Sequence, residues 1–394
     1  MTFEELVKSL EIEKYPKEFE KIYAELGEDN GALYDVKYLM ELHEKYNMFG
    51  NYLAPVLRGV EDLKNKPELI AWGRIIVEYN SRVTMHEAKC ATFPAPDGSP
   101  ARDMLPLLVL MPAVPTMAKR YAERGFSEAQ IYKNMENFRI NLWVLELLTG
   151  TAKFSAGMYN WLCNYTYAYI FDHKGFNYQP FIWYQQAIIL KNINSGEAYP
   201  MMLTGSFHRN GLGLGSAGCE DTEGSFTVTF SETPDIFYGH LVKDGRVEAE
   251  PTACKKSEWK CIVRPGDDVV SLHIPRKTNL DPEYVSESFK EGMELTRKFY
   301  PELSPKFLIC SSWLMDSTLS KILGPDAKLS KFTDRFIKYP QKSAGNECLG
   351  YVYPGFKGEV KDYPEDTRLR REIKKLMLNN TYIHWTNAII PEEL

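Results

Sequence analysis

The segment that most constrains this chain is residues 267–313. An apolar run, Asp267–Ile274, ends at Pro275, and the polar stretch Arg276-Lys277-Thr278-Asn279-Leu280 follows it. Asp281-Pro282-Glu283 then opens a helix: Asp281 is a good N-cap, Pro282 suits the first helical position, and Glu283 favours the helix dipole. Val285, Phe289, Met293 and Phe299 fall on one face of that helix, which extends to about Phe299. A second apolar run, Phe307–Trp313, comes next. Such a strand–loop–helix–strand crossover gathers unsatisfied amides, a positive helix end and two cations, Arg276 and Lys277, at one point, which is a ready anion site. The plainer reading is an ordinary crossover whose two cations are solvated.

Composition narrows the function class. The 394 residues are 44% hydrophobic and 25% charged, which fits a soluble globular protein and excludes collagen, coiled-coil and disordered readings. With 47 basic and 53 acidic side chains the net charge is −6, so there is no bulk electrostatic case for binding nucleic acid or an anionic membrane. The longest apolar stretch, Leu105–Val114, is broken by Pro106 and Pro112 and is too short to span a bilayer. The 7 cysteines include no CxxC pair, which fits reduced thiols in a cytoplasmic protein. MTFEELVKSLEIEKY has no basic region leading into an apolar run, so no signal peptide is expected.

The chain changes texture near its middle. Residues 1 to about 171 read as helices: Phe3, Leu6, Val7 and Leu10, and later Leu69, Trp72, Ile75, Ile76 and Tyr79, recur at helical spacing. Met117–Arg124 and Glu128–Leu148 read as two helices joined at Gly125-Phe126-Ser127, with Ser127 as N-cap. Gly150 or Gly157 could end this unit, and Met158–Phe171 fits either period. Later, Phe181–Leu190, Ser225–Phe230, Ile236–Val242, Arg246–Ala253 and Leu349–Tyr353 read as strands, with Lys243-Asp244-Gly245 as a hairpin turn. Thr318–Leu323 reads as a short helix ended by Gly324-Pro325. The expected organisation is a helical domain over 1–150 and a mixed-sheet domain over 151–394, an α+β fold.

Three motifs invite other chemistry. Gly213-Leu214-Gly215-Ser216-Ala217-Gly218 spells GxGxxG, but Glu220, Asp221 and Glu223 and then a strand follow it, where a dinucleotide site needs a helix. The plainer reading is a mobile glycine loop between strands, or a lid over a site. His86-Glu87-Ala88-Lys89-Cys90 lacks the second histidine of a zincin, and no metal site is expected. The basic run Arg368–Lys375 reads as a solvated helix face.

Leu272-His273-Ile274-Pro275 and Leu280, then Cys310-Ser311-Ser312-Trp313-Leu314-Met315-Asp316, then Phe332-Thr333-Asp334-Arg335-Phe336, resemble a bacterial acyltransferase group. Its members join a helical N-terminal N-acyltransferase domain to a C-terminal domain similar to the GNAT N-acetyltransferases. The resemblance implies a GNAT-like core in which the strand before the pyrophosphate loop splays from the next strand and acyl-CoA enters the V between them. Acetyl-CoA or another acyl-CoA is then the co-substrate. The implied cofactor-binding residues are Ile274, Pro275, Arg276, Lys277, Thr278, Asn279 and Leu280. This loop departs from the superfamily pattern Q/R-x-x-G-x-G/A in having no glycine. His208-Arg209-Asn210-Gly211-Leu212-Gly213 is nearer that pattern but has no helix after it.

Acyl transfer to an amine needs a base near neutrality, which makes His273 the catalytic candidate, against a purely structural imidazole. Ser311 or Ser312 would donate to the leaving sulfur or orient a water; by alternation only one of them shares a face with a given cleft. Cys310 shares the Ser312 face, and Asp316 is read as the cap of the following helix. The acceptor pocket is expected between the domains, lined by aromatics such as Trp183, Tyr184 and Tyr238. The expected function is acyl-CoA-dependent N-acyl transfer, acetyl transfer first, to a small amine. The rival is a non-catalytic CoA- or small-ligand-binding protein on the same scaffold, and a third reading is an interaction module built on the N-terminal helices.

Overall fold

The computed structural model describes residues 1–393. The chain forms two compact units, Met1–Asp172 and His173–Leu394.

The first unit is helical. Its longest helix, Pro67–Arg82, buries Leu69, Trp72, Ile75, Ile76 and Tyr79, the stripe that the 3.6-residue spacing marks. Phe19 meets Trp72 edge-on with ring centroids 5.3 Å apart and Tyr79 at 5.1 Å. Ser127 caps the helix Glu128–Met135 through a reciprocal capping box with Gln130. The expected single helix over 128–148 is two, Glu128–Met135 and Asn137–Thr149. They join at Glu136, whose carboxylate is held by Lys133 and Arg139 at 2.6 Å each. Gly150 ends the second in the left-handed conformation that a residue without Cβ adopts freely. The segment of ambiguous period, Met158–Phe171, is helical as far as Thr166, the end of the helix Ala156–Thr166 on the first unit's side of the division. Among the described residues no helix is long and apolar enough to cross a membrane.

The second unit is built on two sheets. Its strands are β1 Phe176–Ile182, β2 Ala187–Asn192, β3 Ala198–Met202, β4 Ile236–Lys243, β5 Thr252–Lys255, β6 Trp259–Val263, β7 Asp268–His273, β8 Leu308–Ser312, β9 Ile337–Pro340 and β10 Thr386–Ile389. The first sheet has six strands: Phe171–His173, within which the units divide, forms the edge, and β1-β7-β8-β10-β9 follow in that order. The second runs β5-β4-β3-β2-β6, with Ser231–Glu232 and Arg246–Val247 paired on β4. Val263, Val269, Ile309, Tyr339 and Ile389 are among the buried residues that the two sheets share as a core. The long helix Pro282–Phe299 links β7 to β8, which run parallel, as a crossover connection requires. The fold is α+β.

Several expected strands are shorter or different. Phe181–Leu190 is broken between β1 and β2, because residues 183–186 carry the chain from one sheet to the other. Trp183 drives that crossing: it is fully buried and donates from its indole to the Ala187 carbonyl at 2.8 Å. It is therefore core and lines no pocket, whereas Tyr184 and Tyr238 are exposed. Ser225–Phe230 pairs only over Phe226–Thr227. Arg246–Ala253 pairs with β4 at both its ends, Lys243↔Arg246 and Val242↔Val247 at the hairpin and Gly239↔Thr252 and Tyr238↔Ala253 in β5, and leaves the ladder between them. Asp244 and Gly245, both at positive φ, make the tight turn. Leu349–Tyr353 is a helical turn, Leu349–Val352. Its last carbonyls are taken by guanidinium groups, Tyr351 by Arg276 at 2.6 Å and Val352 by Arg370 at 2.8 Å, which satisfies a helix end where no strand neighbour is offered.

Candidate active site

β7 and β8 pair at two positions only, Val270↔Leu308 and Ser271↔Ile309. β7 stays paired with β1 along its whole length, from Asp268↔Ile182 to His273↔Asn177. β8 stays paired with β10 from Ile309↔Ile389 to Ser312↔Thr386. Beyond Ser271 and Ile309 the two strands share no rung while each keeps its outer neighbour, which is the pairing pattern of two strands parting in a V. The Val270 amide points at β8, donating to the Phe307 carbonyl at 3.0 Å. Alternation then turns the main-chain groups of Ile274 and Ser311 into the gap, where an extended ligand would find unpaired backbone partners.

One face of the sheet at this level is polar. The ladder places Asn177 opposite His273 and Gln179 opposite Ser271 on that face. Ser311 lies opposite Asn387 on the same face. Counting two residues beyond the last rung puts His273 and Ser311 level with each other across the V. Lower on this face, Val269, Ile309 and Ile389 enter the core with the second sheet. The opposite face packs on the long helix. Tyr178 there reaches Ser288, its hydroxyl lying 2.7 Å from both the Ser288 carbonyl and hydroxyl.

His273 is half-buried, and its Nε2 lies 2.9 Å from Gln179 Oε1. Gln179 thus holds the imidazole ring in place at the level of the polar face. The Ser311 hydroxyl donates to Asn387 Oδ1 at 2.7 Å and accepts from the Trp385 indole at 2.8 Å. Its proton is committed, so it holds Trp385 and Asn387 in place. Ser312 lies on the other face, and its hydroxyl accepts the Leu314 amide at 3.1 Å, starting the helical turn Trp313–Met315. Cys310 is buried, and burial pushes its thiol up to about 12, which leaves no thiolate for nucleophilic work near neutrality.

The turn after β7 meets the missing-glycine question directly. Thr278 donates from its amide to Pro275 O at 3.3 Å, closing a four-residue turn. Lys277, third in that turn, stands at φ 66°, the left-handed conformation that glycine usually supplies. The Thr278 hydroxyl, 2.7 Å from Pro275 O and 2.8 Å from Gly175 O, secures the turn. Asn279 accepts the Asp281 amide at 3.0 Å. Asp281 makes no side-chain cap; its carboxylate turns to Lys328 at 2.6 Å, which holds it below the usual carboxylate range. The first-turn amides of an 18-residue helix are thus left uncapped beside the turn. Arg276 spends one nitrogen on the Tyr351 carbonyl. Ile274 and Leu280 are half-buried at the two ends of the turn.

A second polar cluster lies beyond β8. Asp316 caps the helix Ser317–Leu323 by accepting the Thr318 amide at 2.8 Å, and also accepts the His384 amide at 2.6 Å. Burial opposes ionisation of both side chains. Their mutual attraction and hydrogen bonds outweigh it, lowering Asp316 and raising His384 from ordinary values. His384 Nε2 lies 2.9 Å from the Ala217 carbonyl. This contact corrects the mobile-loop expectation for residues 213–218. Ser216 is fully buried, Ala217 donates to Ser343 O at 3.1 Å, and Ser343 donates to Ser216 Oγ at 3.1 Å. The loop is a fixed wall, and no helix follows it.

Sequence reasoning missed Asn177, Gln179, Trp385, Asn387 and His384. The signal available was polar residues at inward positions of otherwise apolar strands: Asn177 and Gln179 alternate within FNYQPFI and are both buried. A solvent-open concavity of 470 Å³ lined by Lys191, Lys260, Phe307 and Glu393 lies at the other end of β8 and gathers no such set.

Residues 237–389 match the family model described as a GNAT-like C-terminal domain. No curated protein sequence matches the chain. Three solved acyltransferase structures share the fold over essentially the whole of both chains. One in complex with decanoyl-CoA is 13% identical over 100% of each chain at a TM-score of 0.64. One in complex with CoA and 10C-teicoplanin is 13% identical over 99% of each at 0.67. One in complex with decanoyl-CoA and teicoplanin is 13% identical over 99% of each at 0.66.

Proposed function

We propose, from the premise that this chain joins a helical N-terminal domain to a GNAT-like C-terminal domain, that it is an acyl-CoA-dependent N-acyltransferase acting on a small-molecule amine. The observation that carries this reading is the V beyond Ser271 and Ile309. Its exposed main chain suits the amide-bearing arm of CoA, and the turn Pro275–Leu280 with the uncapped helix end suits the diphosphate. The His273 imidazole takes a proton from the acceptor amine, and the amine nitrogen attacks the thioester carbonyl. The new C–N bond forms as the C–S bond breaks, and the thiolate takes up a proton equal to the one removed. Gln179 holds the His273 ring in place. Ser311 is assigned to the site through Trp385 and Asn387, and Ser312 through the turn it starts. The acyl-CoA ligands of the structural neighbours support a CoA thioester as donor, and teicoplanin among them supports a small-molecule acceptor. Acetyl is the donor group proposed from sequence, and decanoyl is the one carried by the CoA of two of those neighbours.

Calorimetric titration and melting with acetyl-CoA and decanoyl-CoA test the donor. Heat and a raised melting temperature with at least one are expected; neither response with either thioester defeats the proposal. Thiol release with a panel of small primary amines, teicoplanin included, then tests turnover. His273→Ala is expected to lower kcat by about 10²–10⁴-fold, the usual worth of a positioned base. The glycine-free turn favours the second reading, a non-catalytic CoA-binding protein. Donor binding with no turnover for any amine, and no effect of His273→Ala, would establish it.

A further inference from the structure

An aromatic pair stands where the V and the turn meet. Trp313 is the first residue after β8 and is buried; Tyr351 stacks on it with ring centroids 6.1 Å apart and planes inclined by 29°. Tyr351 is 45% exposed, and among the described residues no other ring or cation packs on it. A large aromatic ring thus has one face backed by indole and the other open. Its backbone is fixed on both sides. Arg276, within the turn Pro275–Thr278, donates to its carbonyl at 2.6 Å. Arg370 donates to the next carbonyl at 2.8 Å and is itself held by both oxygens of Asp366, at 2.8 and 3.0 Å. Arg276 therefore sets the spacing between the ring and the turn. A backed, open aromatic face whose own carbonyl is held by an arginine of the turn is what a purine ring needs for stacking.

Resting on the acyl-CoA reading of the V, we propose that Tyr351 is the shelf on which the adenine ring of the donor stacks. Trp313 backs the shelf, and Arg276 positions it against the diphosphate turn. The site then recognises the nucleotide end of CoA independently of the acyl and acceptor ends.

The test compares CoA with 4′-phosphopantetheine, which carries the same arm without adenine, by calorimetric titration of the full chain. Tyr351→Ala is expected to weaken CoA by roughly tenfold to a hundredfold, the worth of one base–aromatic stack, and to leave 4′-phosphopantetheine unchanged. Tyr351→Phe is expected to bind both as the parent does. An unchanged CoA affinity in Tyr351→Ala, or an equal loss for both ligands, overturns the shelf. A second measurement needs no variant: 1,N6-etheno-CoA is expected to lose fluorescence on binding through stacking, and binding without quenching also overturns it. A parent chain that binds neither CoA nor 4′-phosphopantetheine overturns the acyl-CoA reading itself, and the shelf with it.

Discussion

Gly292→Ala is the sharpest test of how the crossover helix sets the cleft. Gly292 lies in the interior of Pro282–Phe299, where glycine costs about 1 kcal/mol relative to alanine, so propensity alone predicts stabilisation. Packing predicts the reverse. A Cβ on Gly292 would stand 2.2 Å from Tyr178 Cε1 and 2.3 Å from Cζ, far inside contact distance. Tyr178 has little room to retreat: its ring is fully buried and its hydroxyl lies 2.7 Å from both Ser288 oxygens, one turn back on the same helix. Overpacking of this kind costs about 1–3 kcal/mol, and freeing a buried hydroxyl from its partner a further ~1–3 kcal/mol. Set against the ~1 kcal/mol gain, the variant should lose about 3 kcal/mol. For a unit of this size that lowers the melting temperature by roughly 6–12 °C. Urea and thermal denaturation measure it. In the Tyr178→Leu background, where the ring is gone, Gly292→Ala should be neutral or stabilising, a coupling expected of groups in direct contact. A raised melting temperature for Gly292→Ala alone would refute the reasoning. So would equal losses in both backgrounds.

Three further outcomes are expected. The Asp316–His384 pair makes stability depend on pH from both sides. The raised His384 contributes fully below its ordinary 6.5 and loses that contribution as pH rises through its elevated folded value; the lowered Asp316 contributes fully above 3.8 and loses it as pH falls through its depressed one. Melting temperature should therefore fall as pH rises above 6.5, and His384→Gln should flatten that limb; an unaltered slope would remove the pair from the account. Lys277→Gly, at φ 66°, should stabilise by about 0.5–1 kcal/mol by relieving left-handed strain, read as a higher urea midpoint, with destabilisation as the contrary result. Cys310→Ala should keep any transferase rate while costing about 1 kcal/mol of stability, since the buried thiol stays protonated; loss of turnover with the fold intact would restore it as a nucleophile.

What the linear chain determined was local. Ser127, Pro282 and Asp244-Gly245 each mark a helix start or turn through neighbours three residues away or fewer, and each stands where it was read, although Asp281 gives its carboxylate to Lys328 and caps no amide. The crossover 267–313 follows, because helical and strand periodicities sit on either side of those signals. Short apolar runs such as Leu349–Tyr353 carry no such punctuation, so the capping of their carbonyls by Arg276 and Arg370 decided the outcome. The parting of β7 from β8 is decided by β1 and β10, which lie about 90 residues before one and 75 after the other and draw the two strands aside. The levelling of His273 with Ser311, and the polar row of Asn177, Gln179 and Asn387 beside them, arise from that same long-range pairing. A strand's own sequence states which side chains share a face, but register with a distant partner settles what that face meets.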